Sequence, residues 1–235
     1  MLYYVTIPRR EAMKSPTWHG VQPPQLPKSL RAEALAVIED HGEYMALALA
    51  NCDLTQQIAV NVIFEQAQIR RSSFARTRLA KLRLIDVRFE ACDLSGADWE
   101  KVHIRRGEIS GGRLLEMQLL EADLENVLVR DCNLEDAVFA AAKLKSARFE
   151  KCNLRGVSFE QADLNSVVFH ECDLTNADLR STKLHEVDLR GSIIDGLQVG
   201  AQELRGAIID RMQAVQVAGL LGITVKESDE REEPT

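Results

Sequence analysis

The sequence predicts a repeat array, a solenoid whose chain turns a corner every five residues. Two observations support this prediction. Every fifth residue from Leu54 to Ile209 is apolar without a break, although apolar residues make up only 46% of the chain. The residue two positions before each of them is usually small, and the other three positions are mostly polar or charged. Self-similarity at a fixed period is the signature of a repeat architecture.

The five-residue period determines which side chains point inward. We call the central apolar residue of each pentapeptide position i, so that positions i and i−2 are the candidate core. A spacing of five fits neither a helix nor a plain strand, because both would scatter these residues over two faces. A chain that turns after every pentapeptide keeps all of them inside.

Several pentapeptides carry a shared motif and resemble the A(D/N)LXX signature of the pentapeptide-repeat family: Cys92-Asp93-Leu94, Ala97-Asp98-Trp99, Ala122-Asp123-Leu124, Cys152-Asn153-Leu154, Ala162-Asp163-Leu164, Cys172-Asp173-Leu174 and Ala177-Asp178-Leu179. The resemblance covers about residues 49–211. It implies an all-β fold, a right-handed quadrilateral β-helix with four pentapeptides per coil and about eight coils. Core columns would then recur at every fourth pentapeptide, with the column of Leu54 opposite that of Phe64.

The weakest part of the repeat is Gly107 to Gly112, where two i−2 positions are glycine shortly after the bulky Trp99. We expect the glycines to make space for the indole. The alternative is a bend in the solenoid at this point.

Residues 1–48 lack the repeat and form a predicted N-terminal extension. A proline-rich connection ends at Pro27, and Ser29 is a candidate N-cap of a helix that Gly42 would end. Its apolar face would comprise Leu30, Ala34, Val37 and Ile38. We expect this helix to cover the first coil, since the open end of a β-stack is a template for unwanted pairing.

A second helix is predicted after the repeats, over residues 212–225, with Asp210 as N-cap and Gly222 as the C′ residue. One apolar stripe would cover the last coil and comprise Ala214, Val217, Ala218 and Leu221. The remaining residues, 226–235, are polar and acidic and are expected to form a disordered tail.

The C-terminal region also suggests self-association. Val215 and Leu220 lie off the capping stripe and, with Ile223 and Val225, form a candidate homodimer interface. The stretches Leu189-Arg190-Gly191, Leu204-Arg205-Gly206-Ala207, Gln213-Ala214-Val215 and Leu221-Gly222 look like the module through which the quinolone-resistance subgroup of pentapeptide-repeat proteins dimerises. A monomeric cap is the alternative.

The composition indicates a soluble, cytoplasmic protein. The net charge is −7, and no apolar run has the length of a membrane span. The start, Met1 to Val5, lacks the charged-then-apolar layout of a signal peptide. The acidic balance and the lack of interleaved exposed aromatic residues argue against nucleic-acid binding.

No candidate catalytic, metal or cofactor site emerges from the sequence. Cys52, Cys92, Cys132, Cys152 and Cys172 all occupy position i−2 of one column, where they would serve as small core residues. In His170-Glu171-Cys172 the thiol would point inward and the imidazole outward, which excludes a nucleophile–base pair. His103 and His185 share a face but lie four coils apart, about 19 Å at β spacing. Phosphate-binding, dinucleotide and zinc motifs are missing. We therefore expect a non-enzymatic protein without cofactors.

Surface charge then remains as the carrier of function. One face holds a candidate acidic binding surface, which comprises Asp53, Asp93, Glu116, Glu135, Asp136, Asp173 and Asp195. Along the axis, a candidate basic patch in the first coils comprises Arg70, Arg71, Arg76, Arg78, Lys81, Arg83 and Arg88. The alternative for the basic patch is a solvated surface whose cross-coil ion pairs contribute about 0–1 kcal/mol each.

Two binding functions follow from these surfaces. The first is a rigid scaffold that binds an unidentified protein. The second follows from the resemblance to the quinolone-resistance subgroup, which implies a mimic of duplex DNA that binds or protects type II topoisomerase, either DNA gyrase or topoisomerase IV. A solenoid of about eight coils would be about 38 Å long. Duplex DNA of that length carries about 22 negative charges, many more than the acidic face, which would therefore match DNA only locally.

Overall fold

The computed structural model describes residues 20–226 and, for their backbone only, residues 4–6. The predicted acidic tail beyond Lys226 and most of the chain before Gly20 lie outside the described residues. The elements are β1 Tyr4–Thr6, β2 Ser29–Glu33, β3 Glu43–Met45, β4 Leu47–Ala50, β5 Ile58–Val60, β6 Ile63–Glu65, β7 Gln68–Arg70, β8 Arg78–Ala80, β9 Arg83–Glu90, β10 His103–Ser110, β11 Asp123–Arg130, β12 Lys143–Glu150, β13 Val168–His170 and α1 Arg211–Leu220.

Parallel pairing between equivalent residues of successive coils organises the chain into a four-sided solenoid. For example, β10 pairs with β11 through His103 and Asp123, and β11 pairs with β12 through Asp123 and Lys143. We name the four faces after their first central residues: face A (Leu54), face B (Ala59), face C (Phe64) and face D (Ile69). The ladder of face A connects residues 53, 73, 93, 113, 133, 153, 173 and 193. These rungs span about seven full turns, so the predicted β-solenoid is confirmed.

A left-handed residue at position i+2 produces each corner. The backbone φ is positive at every fifth residue from His41 to Gly196 without exception, and most of these residues are not glycine. Asp86, at φ +55, lies in the middle of β9, so this strand continues around the corner from face C to face D. The repeated change of conformation converts the five-residue period into a square cross-section.

The core is filled by positions i and i−2, as predicted. Leu134, Leu154 and Leu174 are fully buried in consecutive coils of face A. Phenylalanine rings stack within faces B and D, with centroids 5.0 Å apart for Phe139–Phe159 and 5.2 Å apart for Phe149–Phe169. Rings of the opposite faces B and D meet edge to face across the core, as in Phe139–Phe149 and Phe159–Phe169, an arrangement that adds to the stabilisation from buried area.

Gly107 and Gly112, the two i−2 glycines that follow Trp99, do not make room for its indole; they lie against other side chains. A Cβ at Gly107 would lie 2.7 Å from Ile104 Cγ2, and one at Gly112 would lie 3.2 Å from Leu114 Cδ1. The indole donates a hydrogen bond to Thr77 Oγ1 over 3.0 Å instead. The strand register continues through this region on both sides, from β9 to β10 and from β10 to β11.

The predicted helix after Ser29 is wrong, because residues 29–33 form strand β2 instead. β2 pairs in parallel with β4 and antiparallel with β1. The first coil exposes backbone donors and acceptors that a strand can satisfy and a helix cannot. Of the predicted apolar face, Leu30 and Ile38 are buried, whereas Ala34 and Val37 are exposed. The solenoid ladder itself begins at Glu43, before the expected start at residue 49.

The predicted C-terminal helix forms over Arg211–Leu220 instead of residues 212–225, and of the predicted stripe Val217 packs against the core. Asp210 is the N-cap and accepts hydrogen bonds from the backbone of Met212 and Gln213. The residue buried against the solenoid is Gln213, while Ala214 and Leu221 of the predicted stripe are exposed. The Gln213 amide donates to the carbonyl oxygens of Leu189 and Ser192 over 2.6 and 2.7 Å. Open backbone carbonyls at the end of the stack require a polar partner, so a glutamine closes it.

Candidate functional site

The seven acidic residues of the predicted binding surface all lie on face A. Three of them, Asp53, Asp93 and Asp173, occupy position i−1 of the same ladder. Glu135 and Asp195 follow their central residues directly, and the corner positions hold Glu116 and Asp136. Neighbouring rungs of a sheet are about 4.8 Å apart. Arg76, Arg113 and Arg155 lie between these acids on the same face, so the negative field is concentrated where acids of adjacent coils meet.

The aspartates at position i−1 also have a local structural role that the sequence pattern does not reveal. Each side chain accepts a hydrogen bond from the backbone N–H two residues later, over 3.0–3.1 Å, in the pairs Asp53 with Thr55, Asp93 with Ser95, and Asp173 with Thr175. Asn133 and Asn153 form the same bond. Such Asx turns hold the side chain in one position. The Asp or Asn of the repeat signature is therefore a structural element of the corner.

These hydrogen bonds keep two of the carboxylates ionised. Hydrogen bonds from the side chain and backbone of Thr55 hold the pKa of Asp53 below its usual range. Burial raises the pKa of Asp173, but the hydrogen bonds from Thr175 and Arg155 outweigh this effect and lower it overall. A carboxylate that accepts hydrogen bonds is favoured in its charged form. Both residues contribute full negative charges at neutral pH.

The seven acids differ in their partners. Arg155 Nη1 lies 3.1 Å from Asp173 Oδ2, and Gln216 of α1 donates to Asp195 over 2.7 Å. Apart from Asp173, none of the seven forms an ion pair with another described residue. Glu116, Glu135 and Asp136 come from adjacent coils in the middle of face A and form the closest group of carboxylates among the seven. We call them the acidic centre.

The seven cations of the predicted basic patch are distributed around the solenoid. Between Arg70 and Arg88 the chain passes over all four faces, so these residues form a band. Arg70 pairs with Glu90 at 3.1 Å, and Arg88 pairs with Glu108 at 2.6 Å, both on face D. The other five, Arg71, Arg76, Arg78, Lys81 and Arg83, form no ion pair with another described residue.

A buried polar network at faces C and D was not predicted from the sequence. Glu108 is at an outward position but is 0% exposed, and it contacts Arg88 and Arg130, the latter over 3.1 Å. At the neighbouring corner, Arg106 donates two hydrogen bonds of 2.6 Å to Asp86. Burial raises the pKa of Asp86, but these bonds and one from the Gln25 backbone lower it overall. The sequence does carry one signal for this network, because residues of opposite charge, such as Asp86 and Arg106, occupy equivalent positions of successive coils.

The five cysteines are free, buried thiols, as predicted. Burial raises the pKa of Cys92 to about 11 and that of Cys132 to about 11. A thiol must lose its proton to act as a nucleophile or metal ligand, so these groups are poorly suited to either role. Among the described residues, no group of three or more His, Cys, Asp or Glu side chains could hold a metal ion.

The four histidines within residues 20–226 lie on the surface. His170 Nε2 is 3.2 Å from Glu171 Oε1, and His103 Nδ1 is 3.3 Å from Asp123 Oδ2. The thiol of Cys172 is directed to the backbone carbonyl of His170 over 3.5 Å and does not meet the imidazole. The predicted separation of these two side chains is therefore confirmed.

The end of the solenoid exposes a group of apolar side chains. The four residues of the predicted dimer interface, Val215, Leu220, Ile223 and Val225, are 39–57% exposed. Met212 and Leu221 are exposed beside them. Within residues 20–226, no helix has the length and apolar character needed to cross a membrane.

A capped, four-sided parallel β-solenoid with a polar surface defines a class of repeat protein, and comparison with known families identifies it. The family described as "Pentapeptide repeat region" matches residues 82–159 and 142–217. The matches together span more than half of the chain, which therefore belongs to the pentapeptide-repeat family. No curated protein matches the chain significantly.

Solved structures of the same fold class have low sequence identity. A trypsin-treated variant of QnrB1, a plasmid-mediated fluoroquinolone resistance protein, is 21% identical over 83% of this chain and 99% of its own, with a TM-score of 0.42. HetL, a pentapeptide-repeat protein involved in heterocyst differentiation regulation from the cyanobacterium Nostoc sp. strain PCC 7120, is 21% identical. That match covers 72% of this chain and 90% of HetL, with a TM-score of 0.38.

Proposed function

We propose that the protein is a non-catalytic scaffold that binds a partner protein through face A. The observation that carries this proposal is the acidic centre. Glu116, Glu135 and Asp136 present three carboxylates from adjacent coils, without a cationic partner among the described residues, on a backbone held by ladder hydrogen bonds on both sides. A surface that is ordered before binding loses little conformational entropy when a partner docks.

The charge of face A specifies the kind of partner. A row of ionised carboxylates on a flat face complements a basic groove, and such complementarity increases association rates and selects the correct partner. Exposed charges are screened beyond a Debye length of about 8 Å at physiological salt. Binding is therefore expected to weaken as the salt concentration rises.

Charge-neutralising variants test this proposal. The acidic-centre variant carries Glu116→Gln, Glu135→Gln and Asp136→Asn. A matched control removes the same charge from exposed residues outside face A that also form no ion pair with another described residue, with Asp98→Asn, Glu160→Gln and Glu186→Gln. In affinity capture from the host, proteins that bind the wild type and the control at low salt should be lost from the acidic-centre variant. Equal capture by both variants would contradict the role of face A.

The second candidate is a DNA-mimicking modulator of type II topoisomerase. Two features favour it: the acidic centre of face A, and the exposed apolar residues of α1, which could join two solenoids into a longer rod. A DNA gyrase supercoiling assay, with and without a fluoroquinolone, distinguishes this function from a general scaffold. Inhibition or drug protection by the wild type and the control, but not by the acidic-centre variant, would support it. Unchanged supercoiling and drug sensitivity would exclude it for gyrase.

A further inference from the structure

A proline-rich segment of the chain lies along the outside of the solenoid at the corner between faces C and D. The segment, residues 21–27, contains Pro23, Pro24 and Pro27. Proline fixes its own φ and restricts the preceding residue to extended conformations. The segment is accordingly free of helix and strand between Gly20 and β2.

Two backbone hydrogen bonds hold the segment to the corner. Gln22 N donates to Asn126 Oδ1 over 3.1 Å, and Gln25 N donates to Asp86 Oδ1 over 2.8 Å. Asp86 and Asn126 occupy the same corner position two coils apart. Because the contacts use backbone donors, they depend on the spacing of N–H groups more than on the identity of the side chains.

The spacing of the two acceptors matches a polyproline II helix. Three residues of polyproline II, from Gln22 to Gln25, rise about 9.3 Å. Two coils of the solenoid span about 9.6 Å at β spacing. An extended proline-rich segment that runs along the solenoid axis can therefore place the N–H groups of Gln22 and Gln25 opposite two acceptors that lie two coils apart.

The segment is held by a few partly buried side chains, and the corner beneath it has its own ion pair. Val21 is buried, at 6% exposed, and Pro24, Leu26 and Pro27 are half-buried, whereas Gln22, Pro23 and Gln25 are exposed. Asp86 keeps both hydrogen bonds from Arg106 when the Gln25 donor is removed. A buried carboxylate without a partner would be costly, but Arg106 still faces this one when the segment is displaced, so displacement costs mainly the burial of Val21.

We propose that the corner between faces C and D is a binding surface for an extended, proline-rich segment of a partner protein, which residues 21–27 occupy in cis. This inference rests on the proposed protein-binding function and adds a partner class at a surface separate from face A. Tethering gives the chain's own segment an effective concentration in the millimolar range. A partner must therefore bind tightly enough to displace the tethered segment, or bind while the segment is detached.

A peptide of residues 20–28 with a fluorescent label tests the proposal on the full-length protein. The opened variant carries Val21→Asp, which disfavours burial, and Gln25→Pro, which removes the N–H that binds Asp86. Fluorescence anisotropy should show that this variant binds the peptide at least about tenfold more tightly than the wild type, where the tethered segment competes. Variants carrying Val21→Asp with Gln25→Ala retain the N–H and should bind the peptide less well.

Two further measurements identify the site. A peptide with proline at the position of Gln25 lacks the N–H and should bind the opened variant several-fold more weakly. Adding Asn126→Gly to the opened variant removes the second acceptor while keeping the left-handed corner, and should weaken the peptide similarly. No binding by an opened variant with wild-type circular dichroism, or equal binding by both peptides, would overturn the proposal.

If the opened variant fails to fold, the single Gln25→Pro variant tests whether the segment can be displaced. Its Gln22 amide should exchange hydrogen about tenfold faster than in Gln25→Ala, because the segment is held by few contacts. Equal protection in the two variants would refute a displaceable segment. The acidic-centre variant leaves this corner intact, so failure here and failure of the proposed function of face A give different results.

Discussion

At the scale of the residue, the five-residue repeat depends on a backbone conformation that most residues avoid. Position i+2 is left-handed in every pentapeptide from His41 to Gly196. A side chain in this conformation places its Cβ near a carbonyl oxygen, at about 1–2 kcal/mol per residue. The ladder hydrogen bonds on both sides of each corner compensate for this cost. The effect of a substitution at the corner on stability should therefore depend more on the backbone conformation of that position than on the size of the new side chain.

Ala140 and Ala141 allow this to be tested with adjacent, half-buried residues. Only Ala141 is left-handed, at φ +56. Ala141→Val should lower the free energy of unfolding by about 1 kcal/mol, within the usual range for a single destabilising substitution, because a β-branched side chain is especially unfavourable in the left-handed conformation. Ala140→Val should change it by less than about 0.5 kcal/mol, as expected for surface positions. Urea unfolding monitored by circular dichroism measures both, and equal losses would contradict the explanation.

The sequence predicted the inward positions correctly because burial determines them. It did not identify the left-handed position, since Arg, Lys, Glu, Asn and Ala all occupy it. Nor did it reveal that Asp93 and its equivalents cap a backbone N–H, so these residues were assigned to binding alone. Local hydrogen bonds of this kind depend on the corner geometry, and hydrophobic periodicity carries no information about them.

At the scale of the element, the two ends of the solenoid show how a β-stack is closed. At both ends, backbone groups of the terminal coil need hydrogen-bond partners. At the N-terminal end residues 29–33 supply them as a strand, and at the C-terminal end the side chain of Gln213, on α1, supplies them. The apolar spacing of Leu30 and Ile38 is compatible with a helix, so the sequence pattern alone could not exclude one. The unpaired edge of β4 favoured the strand, and this is a tertiary effect.

Gln213→Leu tests the closure at the C-terminal end. Leucine has a similar volume but leaves the carbonyl oxygens of Leu189 and Ser192 without their donor. We expect a loss of about 1–3 kcal/mol in unfolding free energy, the usual cost of unsatisfied buried groups. Hydrogen exchange should also accelerate first in the last coil. Gln216→Leu removes an exposed amide from the same helix and serves as the control; a comparable loss there would contradict a specific role of Gln213.

At the scale of the whole molecule, we predict an end-to-end homodimer through α1. Val215 and Leu220 are 47% and 39% exposed, and a two-fold contact would bury them against their own copies. Sedimentation should show a dimer at tens of micromolar, a range in which mass action reveals association. Combining Val215→Glu with Leu220→Glu should give folded monomers, whereas Val37→Glu at the opposite end should leave the dimer intact. A monomeric wild type would refute the prediction.

The square cross-section also constrains how such a protein can evolve. Inserting or deleting one whole coil, which is four pentapeptides, lengthens or shortens the rod and leaves every later side chain on its original face. Inserting or deleting a single pentapeptide keeps the core pattern intact but rotates everything downstream by a quarter turn. The acidic centre of face A, for example, would move to a neighbouring side relative to Asp53 and Asp93. The fold therefore tolerates length variation in single pentapeptides, whereas a binding surface tolerates it only in whole coils.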